Sequence, residues 1–207
     1  MHMRISRYRP APGADMNAIA RRVREGLVPI FQRQPGFRGY WAIAEEDGSG
    51  TGMSVFDDRD ALNAAIVHTR AWTADVLRDL LPDPPEVVQC AVRTSEAAGM
   101  EEAAAWRQAA WCVLMERGKA APSDAVIPLF HKHVLPALRA QPGFLAHLGG
   151  RAEQDEGLLV TVQFWDGREA AERGSEAVRR VTAEHLKDMV PPPTRHVLGR
   201  ILVAAVP

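Results

Sequence analysis

A chain of 207 residues, 46% hydrophobic and 25% charged, suits one large globular domain or two of about 100 residues each. Its formal net charge of −1 excludes the broad basic surface of a general nucleic-acid binder, so no nucleic-acid partner is expected. No run of about 18 apolar residues offers a membrane span, and the opening MHMRISRYRP lacks the apolar core of a secretory signal. The two cysteines, Cys90 and Cys112, lie in apolar runs, and a cytoplasmic chain without disulfides or membrane attachment is expected.

Residues 3–8 form the first strand-like run. Asp15 is a good helix N-cap, and Met16, Ile19, Ala20, Val23 and Leu27 follow at helical spacing. Pro29 should kink or loosen the last turns, and QPGF (34–37) should stop the helix and turn the chain. Strands at 37–44 and 51–56 then flank the hairpin loop EEDGSG (45–50). A second helix starts at Asp57 or Asp58 and ends before the prolines at 82–85; a fourth strand follows at 87–92. The Ala-, Glu- and Gly-rich segment 93–108 reads as a linker with a short helix.

The same order then returns. A strand at 109–116 precedes a helix near Ser123 that carries Val126, Phe130, Val134 and Leu138, its start expected late because of Pro128. Pro136 matches Pro29, and QPGF recurs at 141–144. Strands at 144–150 and 158–165 flank AEQDEG (152–157). Asp166-Gly167-Arg168-Glu169 resembles a capping box with Asp in the Ser/Thr place. Prolines at 191–193 end the helix, and 197–204 is the last strand.

QPGF repeats at an offset of 107; VFDDRDA (55–61) matches FWDGREA (164–170), and LRDLLPDPP (77–85) matches LKDMVPPPT (186–194), at 109. The chain therefore reads as a tandem duplication with halves 1–92 and 109–207 joined by the linker 93–108. Each half is β–α–β–β–α–β, a ferredoxin-like four-stranded sheet with two helices on one face. LLVTVQFW (158–165) and HVLGRILVAAV (196–206) are apolar on nearly both sides, so each sheet needs a cover on its second face. The expected fold class is α+β: two ferredoxin-like halves packed sheet to sheet as a pseudo-dimeric α/β barrel. The chain is then a monomer with internal pseudo-two-fold symmetry.

The repeated pattern is helix, PGF, hairpin, a strand ending in an aromatic, then Asp and an acidic-Ala helix. It stands here as LPALRAQPGF…LLVTVQFWDGREA and VPIFQRQPGF…GMSVFDDRDA. It resembles the antibiotic biosynthesis monooxygenase-like family of the dimeric α/β-barrel superfamily, over roughly 3–92 and 109–204. Similar members include cofactor-independent monooxygenases acting on aromatic polyketides, haem-degrading oxygenases, small isomerases and barrels of unknown role. The haem-degrading branch carries an Asn on the first strand. Arg4-Ile5-Ser6-Arg7 and Trp111-Cys112-Val113-Leu114 have none, so the resemblance points away from haem.

His68 and Trp72 are four residues apart on one helix face, an acid/base beside an aromatic platform or, more plainly, core packing with a satisfied histidine. His185 lies among Val178, Val181 and Met189 at helical spacing; His147 aligns with Tyr40 on the second strands. Thr161, Gln163 and Trp165 share one strand face, where a buried amide needs partners. His131 and His133 point roughly 200° apart on a helix and cannot hold one ion together. No ligand cluster appears, and neither metal nor other cofactor is expected. Two functions stay open. One is a cofactor-independent monooxygenase, or related oxidation or rearrangement, of an aromatic, polycyclic, polyketide-like molecule. His147, His185 and His68 are then the candidate bases, and Gln163, Trp165, Tyr40 and Trp72 hold the ring. The other is a non-catalytic barrel that binds a small apolar ligand or a protein partner. The second half, with His147, Gln163, Trp165 and His185, is the expected site.

Overall fold

The structure is a computed structural model that describes residues 1–207. It forms two compact units, Met1–Ala91 with Arg200–Pro207, and Val92–Gly199. In the first, β1 (His2–Tyr8) leads to α1 (Met16–Arg22), which Asp15 caps by accepting from the Asn17 N–H at 2.9 Å. A π-helical turn, Val23–Leu27, joins α1 to α2 (Val28–Gln32). Pro29 has no N–H to give, and the chain meets this by widening one turn. The Val28 N–H bonds the Val23 carbonyl five residues back, and the helix carries on through the proline.

The second unit repeats the device. Here α5 (Ser123–Leu129), a π turn (Phe130–Val134) and α6 (Leu135–Arg139) run through Pro136, and the Leu135 N–H bonds Phe130. The loosening expected before each proline takes this form. One expectation needs correction: α5 starts at Ser123 and includes Pro128. That proline gives up only its own bond to the first turn, which the remaining bonds tolerate.

QPGF stops each helix through a left-handed glycine, Gly36 at φ 75° and Gly143 at φ 87°. The Gly36 carbonyl accepts from the Asp57 N–H at 2.8 Å, and Gly143 from Asp166 at 3.0 Å, so the turn is tied to the start of the following helix. In the first unit the next residue, Asp58, caps α3 (Arg59–Val76) by accepting from the Ala61 N–H at 2.8 Å. In the second, the expected capping box is absent. Gly167 occupies the cap of α7 (Arg168–His185), and Asp166 is committed to the QPGF turn instead.

The strands are β2 (Phe37–Glu45), β3 (Gly50–Phe56), β4 (Glu86–Ala97), β5 (Trp111–Arg117), β6 (Phe144–Ala152), β7 (Leu159–Trp165) and β8 (Arg195–Ala205). They are hydrogen-bonded in the closed order β1-β3-β2-β8-β5-β7-β6-β4, an eight-stranded antiparallel barrel of α+β class. Within it, β4-β1-β3-β2 and β8-β5-β7-β6 are both ferredoxin-like orders. β4 runs on to Ala97, into the segment read as linker, before α4 (Glu102–Gln108).

Each sheet buries residues on both faces. Met3, Ile5, Met53 and Val55 in the first unit, and Cys112, Val162 and Phe164 in the second, are wholly buried on one face. The other face packs on helices, through Ile19, Val23, Phe31 and Leu62 in the first unit and Val126, Phe130, Ala171 and Val178 in the second. A β-bulge between Phe37 and Gly39, and another between Phe144 and Ala146, shifts the alternation by one. Phe37 and Tyr40, three residues apart, thus both turn toward the helices, as do Phe144 and His147. That shift positions the site.

Candidate functional site

The register of β5, β7 and β6 places Val113, Gln163 and His147 in one cross-strand row, and Met115, Thr161 and Gly149 in the next. Over these rows lie α5 and its π turn. Between sheet and helices is a cavity of about 50 Å³, lined by His147, Gly149, Arg151 and Thr161 from the sheet, Val126, Ile127 and Phe130 from the helices, and Arg93 and Thr94 from β4.

His147 is 2% exposed, and its ring stacks on Phe130 at 4.5 Å between centroids. Nε2 lies 3.2 Å from the Thr94 hydroxyl, while Nδ1 has no protein partner. Burial, and to a lesser extent the neighbouring His131, push the imidazole pKa down to about 3. The ring is therefore neutral at physiological pH. Gln163, 1% exposed, has an amide oxygen without a protein partner, and so has the Thr161 hydroxyl. Three unpaired polar atoms on one buried face mark a place built to meet a ligand or water. A Cβ at Gly149 would collide with the Thr94 hydroxyl, so the glycine opens the approach of Thr94 to His147. Arg151 is occupied structurally: it donates to the Ala120, Ala121 and Glu156 carbonyls and the Ser123 hydroxyl, fastening the surrounding loops.

The other sequence candidates fall elsewhere. Trp165 is fully buried, its ring against Gly174 of α7 and 5.3 Å from Phe144, where it packs helix on sheet. His185, the last residue of α7, is exposed and stacks on His133 at 4.1 Å. In the first unit, Tyr40 is buried and lines a cavity of about 50 Å³ at the corresponding place. Trp72 covers Gly26 in the π turn. His68 stands exposed on α3, whose buried stripe is Leu62, Ala65 and Thr69, one residue around the helix from it. Of the three candidate histidines, His147 lines the second-unit cavity. Thr94, its hydrogen-bonding neighbour, was hidden in the segment read as linker, and Phe130 read only as core.

No protein-family model matches the sequence. No curated protein matches it either. Solved structures do. A candidate monooxygenase of Fusobacterium nucleatum superposes with a TM-score of 0.74 at 12% identity, over 99% of this chain and 94% of that one. An anthrone oxidase-like protein gives 0.61 at 14% identity, over 99% and 92%. Chlorite dismutase from Candidatus Nitrospira defluvii, in complex with imidazole, gives 0.61 at 10% identity, over 97% and 90%. The likeness is one of fold.

The one imidazole that lines the second-unit cavity stacks on Phe130 and lies beside Thr94. No group of three or more His, Cys, Asp or Glu stands together as a metal site. His131 faces Glu96 at 3.6 Å and His133 faces His185, so the two histidines of that turn have separate neighbours.

Proposed function

We propose that this chain is a cofactor-independent oxygenase of the antibiotic biosynthesis monooxygenase type, a tandem duplication whose second unit oxidises an aromatic, polyketide-like phenol or anthrone. The observation that carries the reading is His147: a buried, neutral imidazole that lines a cavity with one nitrogen unpartnered, next to the unpartnered Gln163 oxygen in the cross-strand row. The anthrone oxidase-like and monooxygenase neighbours of the same fold support it.

In this reading the free His147 nitrogen removes a proton from the acidic methylene opposite the substrate carbonyl. A base with so low a pKa is weak in the empty site, but a substrate anion beside the imidazolium raises it. The Gln163 oxygen accepts from a substrate hydroxyl and fixes the ring. The carbanion then reduces dioxygen. One oxygen atom becomes the new carbonyl and the other leaves as water with the two methylene hydrogens, so CH₂ and O₂ yield C=O and H₂O. A polycyclic substrate exceeds about 50 Å³, and entry requires the covering helix to yield, which its wide π turn favours.

The test is oxygen uptake with anthrone, with quinone formation followed by absorbance. His147→Ala should lower turnover at least 100-fold, the usual scale of a lost acid/base group, while His68→Ala and His185→Ala keep it. Loss of turnover in a folded His68→Ala variant would reverse the assignment. The small cavity favours one second reading, a barrel that binds a small apolar ligand without turnover. That reading requires ligand-induced stabilisation with no oxygen uptake.

A further inference from the structure

We infer that the first unit holds a second, chemically different binding site: a pocket for a small neutral molecule with a carbonyl oxygen, gripped by the phenols of Tyr8 and Tyr40. The site does not depend on turnover in the second unit.

The register of β1, β3 and β2 builds it. Arg4, Ser54 and Tyr40 form one row, Ser6, Gly52 and Ala42 the next, and Tyr8, Gly50 and Ala44 the third. In the corresponding rows of the second unit, Thr161 and Leu159 stand where Gly52 and Gly50 stand here. Two glycines thus remove the floor that side chains fill in the other unit. The space they leave is a cavity of about 50 Å³ that Tyr8, Tyr40, Met16, Val23, Gly50 and Gly52 help to line. A methyl group at Gly52 would stand 3.2 Å from the Tyr40 hydroxyl, which places that oxygen at the glycine surface of the cavity.

The two phenols supply hydrogen-bond donors, and the hydroxyl-bearing Thr51 and Thr73 also line the cavity. Arg4 Nε donates to the Ser6 hydroxyl at 3.1 Å, one row from Tyr8 on the same strand. Burial raises the pKa of both tyrosines, which therefore stay protonated. No carboxylate or imidazole lines the cavity, so it holds no base for proton abstraction. Apolar walls penalise a charged ligand, and two phenol donors suit a neutral oxygen acceptor. A compact ketone meets these demands.

Cyclopentanone and methylenecyclopentane have the same shape, and only the ketone has an acceptor. Titration of the intact protein by saturation-transfer NMR should show binding of the ketone and at least fivefold weaker binding of the hydrocarbon. Tyr8→Phe and Tyr40→Phe should each weaken the ketone by about fivefold, the worth of one net hydrogen bond, and leave the hydrocarbon unchanged. Gly52→Ala should weaken both by filling the pocket. His147→Ala should alter neither, which keeps this outcome separate from failure of the second-unit reading. Equal affinity for the two probes, no ketone binding, or full affinity in both phenylalanine variants overturns the inference. So does loss of binding in His147→Ala but not in Gly52→Ala. Should a phenylalanine variant not fold, the probe comparison and Gly52→Ala still decide.

Discussion

His147 pays no heed to ordinary histidine titration, because its folded pKa of about 3 lies well below the unfolded value of about 6.5. The unfolded chain takes up a proton first. Folding stability from this group is therefore intact above about pH 6.5 and is lost as pH falls toward 3, at up to about 1.4 kcal/mol per pH unit. Urea unfolding at pH 7, 6 and 5 should show a steeper loss in the native protein than in His147→Gln; parallel curves would mean an imidazole open to solvent. By the same neutrality, if the proposed oxidation is catalysed here, titration of His147 in the free protein should leave kcat/KM flat above about pH 5. Gln163 gives a second residue-scale contrast. Its unpaired buried oxygen carries a desolvation penalty of about 1–3 kcal/mol. Gln163→Met should hold or raise the melting temperature while it weakens substrate binding; a large loss of stability would show that the amide serves the core.

At the scale of elements, the two QPGF turns look alike in sequence but differ in what surrounds them. Gly143 is left-handed and pressed against Asp166, so any Cβ there collides with the carboxylate. Gly36 is left-handed too, but a Cβ would meet its nearest atom, Ala61 Cβ, at 3.1 Å. Gly143→Ala should destabilise by about 2–3 kcal/mol and Gly36→Ala by about 1 kcal/mol, measured by urea denaturation. Equal effects would leave backbone conformation as the whole cause. The helices after these turns differ in the same way. Asp58 caps α3 with its side chain, and Asp58→Ala should remove about 1 kcal/mol. Asp166, which the sequence places as a cap, has no such bond to α7.

For the whole molecule, the closed strand order leaves no unpaired sheet edge to recruit a second chain. Sedimentation equilibrium should therefore give the mass of one chain, 22.7 kDa. A stable dimer would show that outer helix surfaces associate, against the expectation of a monomer. No helix of the chain is long and apolar enough to cross a membrane.

The element order was legible because its causes are local. Pro and Gly in QPGF stop a helix wherever they occur, Asp15 caps the residues next to it, and strands apolar on both sides require two covers. The repeated spacing of these signals pointed to two similar halves without any knowledge of contacts. The site was legible only in part. Tyr40 and His147 could be aligned on matching strands, but a bulge in each strand decides which way they face, and a bulge depends on the register with a neighbouring strand. Thr94 belongs to the site because β4 keeps its strand pairing past residue 92, although RTSEA has no strand pattern of its own. His68 and His185 fit a helical stripe by spacing, yet the packed stripe of α3 runs through Leu62, Ala65 and Thr69, past His68, and His185 at the end of α7 stacks on His133. Local sequence sets what each segment can form. Burial, pKa and the meeting of His147 with Gln163 are properties of segments brought together from far along the chain, and only the tertiary structure decides them.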